Sequence, residues 1–517
     1  MAVDYDLVII GSSWEGIYAA KSAVVLQARV ALVTQCDLPN DTLINCSVGE
    51  VGRLNYRLAE DPFAIGSPVD LPSFSFSQAI DWAEEVNGLT QANNSLASLA
   101  ALGVDVIVGS GEFCRLPQLA FNVGKRKLRS RNFLLATGAN FQPDLNADPQ
   151  DYLTPRQLSD RARNLKQQVI VIGGDPTSLE LAQTVARLDK KVTLVVRQPR
   201  ILPQEDLDLA MLIQAQLEAV GIKIYTNCPV TQIKTIDGQK WLQAGDREAY
   251  PKGNRASCSI TSTGGTPATV FRALSADEVI FVDCRQPNIE GLNLSGVGIK
   301  GDDALRPLYG SRYPLGRDRR RILVNQKLQT TNPNIYACGD LIGGYALPNV
   351  TRYEVNLILK NTLFFPWYRT NYHTLPWAIF TQPNLARVGL TQHQAKEQYG
   401  DDIYIVKQYF RDVTQAQILE CTSGVCKLIV RENGEILGCG IVGDRAAELI
   451  ATVAIMIQHK IKLDRNPMRG LTSLSIPTVY PSMAEILEHC SQNFYHQKLR
   501  NPKLLNRLRS WFSLRKS

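Results

Sequence analysis

Two stretches of this chain share one plan, and that plan limits the fold more than any other feature. Residues 6–35, "DLVIIGSSWEGIYAAKSAVVLQARVALVTQ", run from an apolar strand into a Gly-rich turn, an Ala-rich helix and a second strand. Residues 168–197, "QVIVIGGDPTSLELAQTVARLDKKVTLVVR", repeat it. Each is a βαβ unit. Two such units about 160 residues apart predict two nucleotide-sized α/β lobes. At 517 residues the chain is too long for one domain, and roughly three are expected.

In a dinucleotide-binding turn the first glycine makes the tight bend and the second lets the backbone approach a pyrophosphate. The third lets the helix pack on the strand, and the helix N-terminus offers unpaired N–H groups to the phosphates. The first unit has Gly11, Ser13 and Gly16 at these positions, and Ser13 is small enough to tolerate a phosphate nearby. A plain strand–turn–helix with no ligand is the alternative. Thr34 and Gln35 stand where an acid usually reads a ribose, able to hydrogen-bond but uncharged. The second unit keeps Gly173 but has Asp175 and Ser178 at the other two positions. A carboxylate there repels a pyrophosphate and competes for the helix N-terminus, so Asp175 reads as an N-cap rather than a ligand contact. If a nicotinamide cofactor binds, Val196, Arg197 and Arg200 at the strand end favour a 2′-phosphate over a bare ribose.

Composition narrows the class. With 44% hydrophobic and 20% charged residues the chain reads as a soluble globular protein with large cores. No stretch approaches the roughly 18 uninterrupted apolar residues of a spanning helix, and the start "MAVDYDLVIIGSS" carries no secretory pattern. Eleven scattered cysteines then predict reduced, mostly buried thiols in a cytoplasmic setting, not a disulfide scaffold. No metal-ligand set is assigned. From Lys498 onward there are seven positive charges and no acid, which matches the whole net charge of +7. The basic character therefore belongs to a tail, and a nucleic-acid-binding body is excluded. Within the tail Leu504, Leu505, Leu508, Trp511 and Phe512 span roughly 120° of a helical wheel, with Arg507, Arg509 and Lys516 outside it. Such a basic amphipathic helix, possessing a Trp, suits an anionic membrane surface in a peripheral mode; docking on the protein's own body and a disordered tail are the alternatives.

Further segments fall into one order: "LLATGAN" at 134–140, "CRQPNIEGLNLSGVGI" at 284–299, "NIYACGD" at 334–340, then "FTQPNLARVGLT", "GEILGCGIVGDRAAELI" and "PTVYPSMAEIL". Over roughly residues 5–490 this series resembles the class I pyridine nucleotide-disulfide oxidoreductases, the family of lipoamide dehydrogenase, glutathione reductase and mercuric reductase. The resemblance implies an α/β fold with two doubly wound dinucleotide-binding lobes, of FAD and NAD(P) type, plus an α+β dimerisation domain, in a homodimer. The expected limits are 1–150 and 276–346 for the two parts of the FAD domain, 151–275 for the NAD(P)-like domain, 347–490 for the dimerisation domain and 491–517 for the tail. Gly11 to Gly16, Ser12 and Ser13 included, would cradle the FAD pyrophosphate. Thr137 and Gly138 would close over the adenine side, the backbone near Gly111 would touch adenine, and Asp340 would bond the ribityl and phosphate portion. Gly173, Glu180, Arg197 and Arg200 would serve NAD(P)H, if it binds.

The chain departs from the family where the family does its chemistry. In the redox-helix pattern G-T-C-x-N-x-G-C-x-P-[ST]-K, Thr42 and Asn45 of "DTLINCSVGEVGR" fix the register, and the two cysteine positions are then Leu43 and Val48. At about 100° per residue Cys46 falls about 60° beyond Leu43, on the side away from Val48, so it reads as a packed cysteine. Tyr480 stands at the acid–base histidine position, and Glu485 has lost the imidazole it would orient. A phenol titrating near pH 10 cannot exchange protons near neutrality as imidazole does. His489, four residues after Glu485, reads as a surface partner of it. Gly52 replaces the lysine that would pair with Glu180, with Arg53 adjacent as a substitute. Cys421 and Cys426 repeat the family's Cys-x4-Cys spacing in another place. Three functions follow: an FAD-dependent oxidoreductase without a dithiol, passing electrons to a quinone or a redox partner protein; a catalytically silent flavin-binding scaffold; and a disulfide reductase using Cys421 and Cys426.

Overall fold

The apolar run at the start of the chain forms the middle of a parallel sheet. In the computed structural model, which describes residues 3–34, 48–54, 75–91, 94–115, 117–141, 143, 147–161, 165–244, 259–260, 274–282, 285–302, 321–343, 347–463, 476–500, 506, 509, 510 and 513, Tyr5–Ile10 pairs with Val30–Thr34 and Ser130–Leu135. Asp105–Val108 and Ile335–Ala337 add the outer strands, all parallel. Leu7, Val8, Ile9, Ala31 and Leu32 are fully buried. Neighbouring residues on a strand face opposite ways, so such a run needs both faces of the sheet covered. A second five-stranded sheet runs Ser259–Ile260, Lys223–Thr226, Lys191–Val195, Gln168–Ile172 and Glu278–Phe281. It is parallel except for its edge strand Ser259–Ile260.

These two sheets belong to one compact unit, Met1–Ile201 with Val220–Thr370, and the rest of the chain forms a second. The second unit is built on an antiparallel sheet in the order Trp377–Ile379, Asn384–Gly389, Ile436–Gly443, Val425–Arg431 and Ile403–Tyr409. Helices Ala446–Gln458 and Glu485–Leu499 bury Leu449, Ile450, Val453, Ile486, Cys490 and Phe494 in its core. The architecture is the α/β fold with an additional α+β domain that the sequence predicts.

The units divide the chain differently from the expected limits at two points. Helix Pro348–Leu363 lies in the first unit, because it packs on helix Trp14–Val25 and Glu354 near its start receives the Gly339 N–H at 2.8 Å. Helix Leu207–Ala219 lies in the second, although it sits in sequence between two strands of the second parallel sheet. Charge explains this placement. Lys427, in the middle of a strand with its side chain only 3% exposed, holds Asp206 at 3.1 Å and Asp208 at 2.9 Å. Arg387 meets Glu205 at 2.8 Å, again with both side chains buried. Cys228, just after the strand Lys223–Thr226, is disulfide-bonded, which corrects the expectation of reduced thiols throughout. The other described cysteines are free.

Removing Lys427 leaves Asp206, 11% exposed, without that ion-pair partner, while Asp208 keeps Lys407 at 2.6 Å. Lys427→Met should therefore destabilise the second unit by about 3 kcal/mol, read as a lower midpoint in chemical denaturation, whereas an unchanged midpoint would show that Asp206 and Asp208 do not depend on it.

Candidate functional site

The first glycine turn is shaped by contacts that exclude any side chain. Gly11 has φ +107°, and a Cβ on it would overlap the Ala136 carbonyl. A Cβ on Gly16 would overlap the Gly11 carbonyl, so the first turn of the helix sits directly on the bend. The Ser13 hydroxyl donates to the Ala136 carbonyl at 2.6 Å, and the Ser12 and Thr34 hydroxyls bond to each other across the two strand ends. Gly138, with φ +66°, comes within ordinary contact of the Ser13 side chain. Thr137 donates to the Asn288 carbonyl at 2.5 Å, which ties this loop to strand Arg285–Pro287. Gly11, Ser12, Ser13, Gly16, Thr34, Thr137 and Gly138 are thus gathered at the carboxyl ends of parallel strands, where α/β sheets bind ligands. Gly111 opens a strand of a small antiparallel sheet, two residues after Gly109, whose N–H reaches the Thr34 carbonyl at 2.8 Å. Gln35 lies outside the described residues.

Asp340 follows strand Ile335–Ala337 in a short 3-10 turn. Its carboxylate is 3.5 Å from Arg285. The same guanidinium donates to the Thr177 hydroxyl at 3.1 Å, on the first turn of the second dinucleotide helix, and lies 5.2 Å over the Phe141 ring. The Arg285 Nε is buried with no hydrogen-bond acceptor among the described residues. Such a donor is what a bound polar group would satisfy.

Three acids meet beside this turn. Burial first, then the charges of Asp340 and Glu354, push Glu15 up to about 7; its own backbone N–H and Ser13 offset part of that shift. Glu15 occupies the first turn of helix Trp14–Val25, where phosphate-binding N–H groups are expected. The carboxyl is therefore near the midpoint of its titration at neutral pH. Sequence reasoning passed over Glu15, Glu354 and Arg285. Glu15 had a signal, since an acid inside a phosphate turn raises the objection applied to Asp175. Glu354 and Arg285 reach the site only through tertiary packing.

The second turn is closed by its own side chain. Asp175 caps helix Pro176–Arg187: its carboxylate accepts from the Ser178 N–H at 2.9 Å and from the Ser178 hydroxyl. A Cβ on Gly174 would strike Val196 at 2.5 Å. Glu180, Arg197 and Arg200 are half-buried, and Gly173 holds the strand end. Residues 48–54 form a helix whose Gly49 and Gly52 face Thr184 and Arg187 of the capped helix. Val48, in this helix, is 4% exposed, and Arg53 pairs with Glu50 one turn back. Leu43, Thr42, Asn45 and Cys46 lie outside the described residues.

In the second unit Tyr480 is 73% exposed. Glu485 is buried and accepts the Ser482 N–H at 2.6 Å, from the turn that leads into its helix. His489 does not pair with it: its Nδ1 is buried without a partner, and no ion pair joins the two among the described residues. The helix start draws Glu485 back toward Ser482, which corrects the expected surface pair. Cys421 and Cys426 are also separated in role. The half-exposed Cys421 thiol points to the Leu419 carbonyl at 3.3 Å, while buried Cys426 faces Cys439, sulfur to sulfur at 3.9 Å, and receives Cys490 on its carbonyl. Strand register places Cys426 in the core between sheet and helix with Cys439 against its sulfur, while Cys421 packs at the edge of the same core as a free thiol.

The comparisons agree with this geometry. Residues 5–355 match the family described as pyridine nucleotide-disulphide oxidoreductase, and residues 375–487 match its dimerisation domain. Curated relatives include a mercuric reductase of Staphylococcus aureus, 26% identical over 95% of this chain and 82% of the relative. A glutathione reductase of Nostoc sp. is 27% identical over 89% of this chain and 94% of its own length. A dihydrolipoyl dehydrogenase of Bacillus subtilis is 26% identical over 89% and 93%. Among solved structures, LpdA of Mycobacterium tuberculosis superposes with a TM-score of 0.75 at 22% identity, covering 94% of this chain and 99% of that one. The flavoprotein disulfide reductase RclA of Escherichia coli gives 0.72, also at 22%, covering 95% and 99%. With both lobes and the C-terminal domain matched in order, the chain belongs to the pyridine nucleotide-disulphide oxidoreductase family, whose members use FAD and NAD(P)H.

Proposed function

We propose that this family member is an FAD-dependent oxidoreductase that works without a dithiol and hands electrons to a non-disulfide acceptor, a quinone or a redox partner protein. The observation that carries the reading is what stands at the two sulfur positions of the family's redox helix: Leu43 and Val48, neither able to form a thiolate. Val48 is buried in the helix of residues 48–54, a packing role. Tyr480 at the histidine position agrees, because proton exchange with a thiol near neutral pH needs an imidazole that a phenol does not replace, and Glu485 accepts the Ser482 N–H instead.

The first turn fits FAD. Gly11 to Gly16, with Ser12 and Ser13, would hold the pyrophosphate, and Thr34 the ribose. Thr137, Gly138 and the backbone at Gly111 would border the adenine, and Asp340 would take the ribityl hydroxyls. The unsatisfied Arg285 Nε is a donor ready for a bound group. When bound, FAD supplies a ring that accepts a hydride and releases electrons to the next carrier. In its uncharged form, favoured as pH falls below about 7, Glu15 fits beside a phosphate and donates a hydrogen bond where its anion would repel. The second turn does not fit a pyrophosphate while Asp175 holds the helix N-terminus, so Gly173, Glu180, Arg197 and Arg200 would serve NAD(P)H only if that cap opened.

The matched dimerisation domain supports a homodimer. Among the described residues no helix is long and apolar enough to cross a membrane. The basic tail, described only at residues 506, 509, 510 and 513, would add peripheral binding to an anionic bilayer from the cytoplasmic side. A second reading, a catalytically silent flavin scaffold, is favoured by one specific observation: Asp175 closes the turn that a reducing nicotinamide would use.

Stopped-flow mixing of the flavin-loaded protein with NADPH and with NADH separates the two. The oxidoreductase reading expects flavin absorbance to bleach within seconds, without the long-wavelength thiolate-to-flavin band; no bleaching over hours with either nucleotide, nor with a reduced quinone, would leave the scaffold. A band of that kind would reinstate a dithiol.

Glu15 makes FAD affinity depend on pH, with a definite sign. Its folded value is raised to about 7, so the group is neutral below that pH and anionic above it. FAD should therefore bind more weakly as pH rises, by about tenfold between about pH 6 and pH 8, followed by the recovery of free-flavin fluorescence on dilution. Glu15→Gln should flatten this dependence; an equal slope in both proteins would remove Glu15 from the flavin site.

A further inference from the structure

One surface of the first unit is not used by either dinucleotide lobe. At the end of helix Pro348–Leu363 the chain turns through "FFPWYR", residues 364–369. The tip is aromatic and outward: Phe364 and Phe365 are each 59% exposed and Trp367 is 73% exposed. Phe365 and Trp367 stack across Pro366 with centroids 4.7 Å apart and planes 14° from parallel. The exposed Lys360 ammonium sits 5.2 Å over the Tyr368 ring, and exposed Arg369 follows it.

The loop is built rather than loose. Asn361, buried at 3%, closes it from beneath: its amide donates to the Tyr368 carbonyl at 2.9 Å and its oxygen accepts the Tyr368 N–H at 3.0 Å. The same amide reaches the Lys327 carbonyl at 3.3 Å, and the Thr370 N–H donates to the Gln326 carbonyl at 2.8 Å. A fold that spends a buried amide on fixing the base of a loop while leaving four aromatic rings in water is holding those rings out for something.

The chemistry points to one occupant. Trp and Tyr, with an apolar body and a polar edge, settle at the boundary between headgroups and acyl chains, while Phe enters the apolar side. Lys and Arg beside them meet anionic headgroups. The sequence keeps acids away, with none between Glu354 and Glu397. The loop also falls between the two matched segments, which end at residue 355 and resume at 375, and so lies outside the matched dimerisation domain. We propose that the 364–369 loop is a membrane-interface anchor that inserts Phe364, Phe365 and Trp367 into the headgroup boundary of an anionic bilayer, with Lys360 and Arg369 on its lipid phosphates. This anchor is independent of the electron route, and it is a different element from the basic tail.

Full-length flavoprotein tests it by flotation with phosphatidylcholine vesicles and with vesicles containing about one-third phosphatidylglycerol. Wild type should float with the anionic vesicles. The double variant F365S/W367S, which keeps the whole tail, should lose at least about tenfold in partitioning, and K360E/R369E should lose binding to anionic vesicles selectively. Both variants should keep wild-type unfolding midpoints and the same mass by light scattering. Equal flotation of F365S/W367S and wild type would overturn the proposal. A fall in mass of either variant would also overturn it, since the aromatic tip would then be a contact between two copies of the chain.

Discussion

The structure turns on what occupies two helix N-termini. Each dinucleotide lobe aims a helix from the end of a parallel strand, and each helix start presents unpaired N–H groups with a positive field. In the second lobe Asp175 satisfies those groups from within the chain, through the N–H and hydroxyl of Ser178. In the first lobe a carboxyl also enters, but on other terms. Glu15 is pushed up to about 7 by burial and by neighbouring acids, so it titrates around neutral pH. One helix start is capped by a carboxylate of its own chain and the other carries a titrating acid in its first turn.

That difference bears on the electron route. A family member with its dithiol needs a nicotinamide on one side of the flavin, sulfurs on the other, and a histidine to move protons. In the proposed register, set by Thr42 and Asn45, the sulfur positions fall on Leu43 and Val48 and the histidine position on Tyr480, which is exposed, while Glu485 accepts the Ser482 N–H. The buried cysteines of the second unit do not replace them. Cys426, Cys439 and Cys490 sit together in a core, where contact with Cys426 and burial push Cys439 and Cys490 well above their usual range and contact with both brings Cys426 down to about 5; all three are buried, which suits packing.

Much of this was legible in the sequence, for a physical reason. Strand–turn–helix signals are local, so Gly11, Ser13 and Gly16 announced the first turn and Asp175 announced its own cap. The two large sheets followed from continuous apolar strands. The parts that stayed hidden depend on distant residues. Nothing near Arg285 in sequence says that its guanidinium spans Asp340 and Thr177, and nothing near Glu354 says that it receives the Gly339 N–H. Spacing alone does not say which sulfurs meet at Cys421 and Cys426, because alternation along a strand and the register with Ile436–Gly443 decide it. Helix Leu207–Ala219 joins the second unit through Lys427, a pairing across more than 200 residues that no local pattern records.

The central claim is that the redox centre is flavin alone. An anaerobic reductive titration with dithionite counts electrons directly: a flavin takes two, and a flavin with a redox-active disulfide takes four. The account predicts complete bleaching after two electrons per bound FAD, with no thiolate-to-flavin absorbance at the midpoint. Uptake of four electrons per FAD, with such absorbance appearing after the first two, would contradict it.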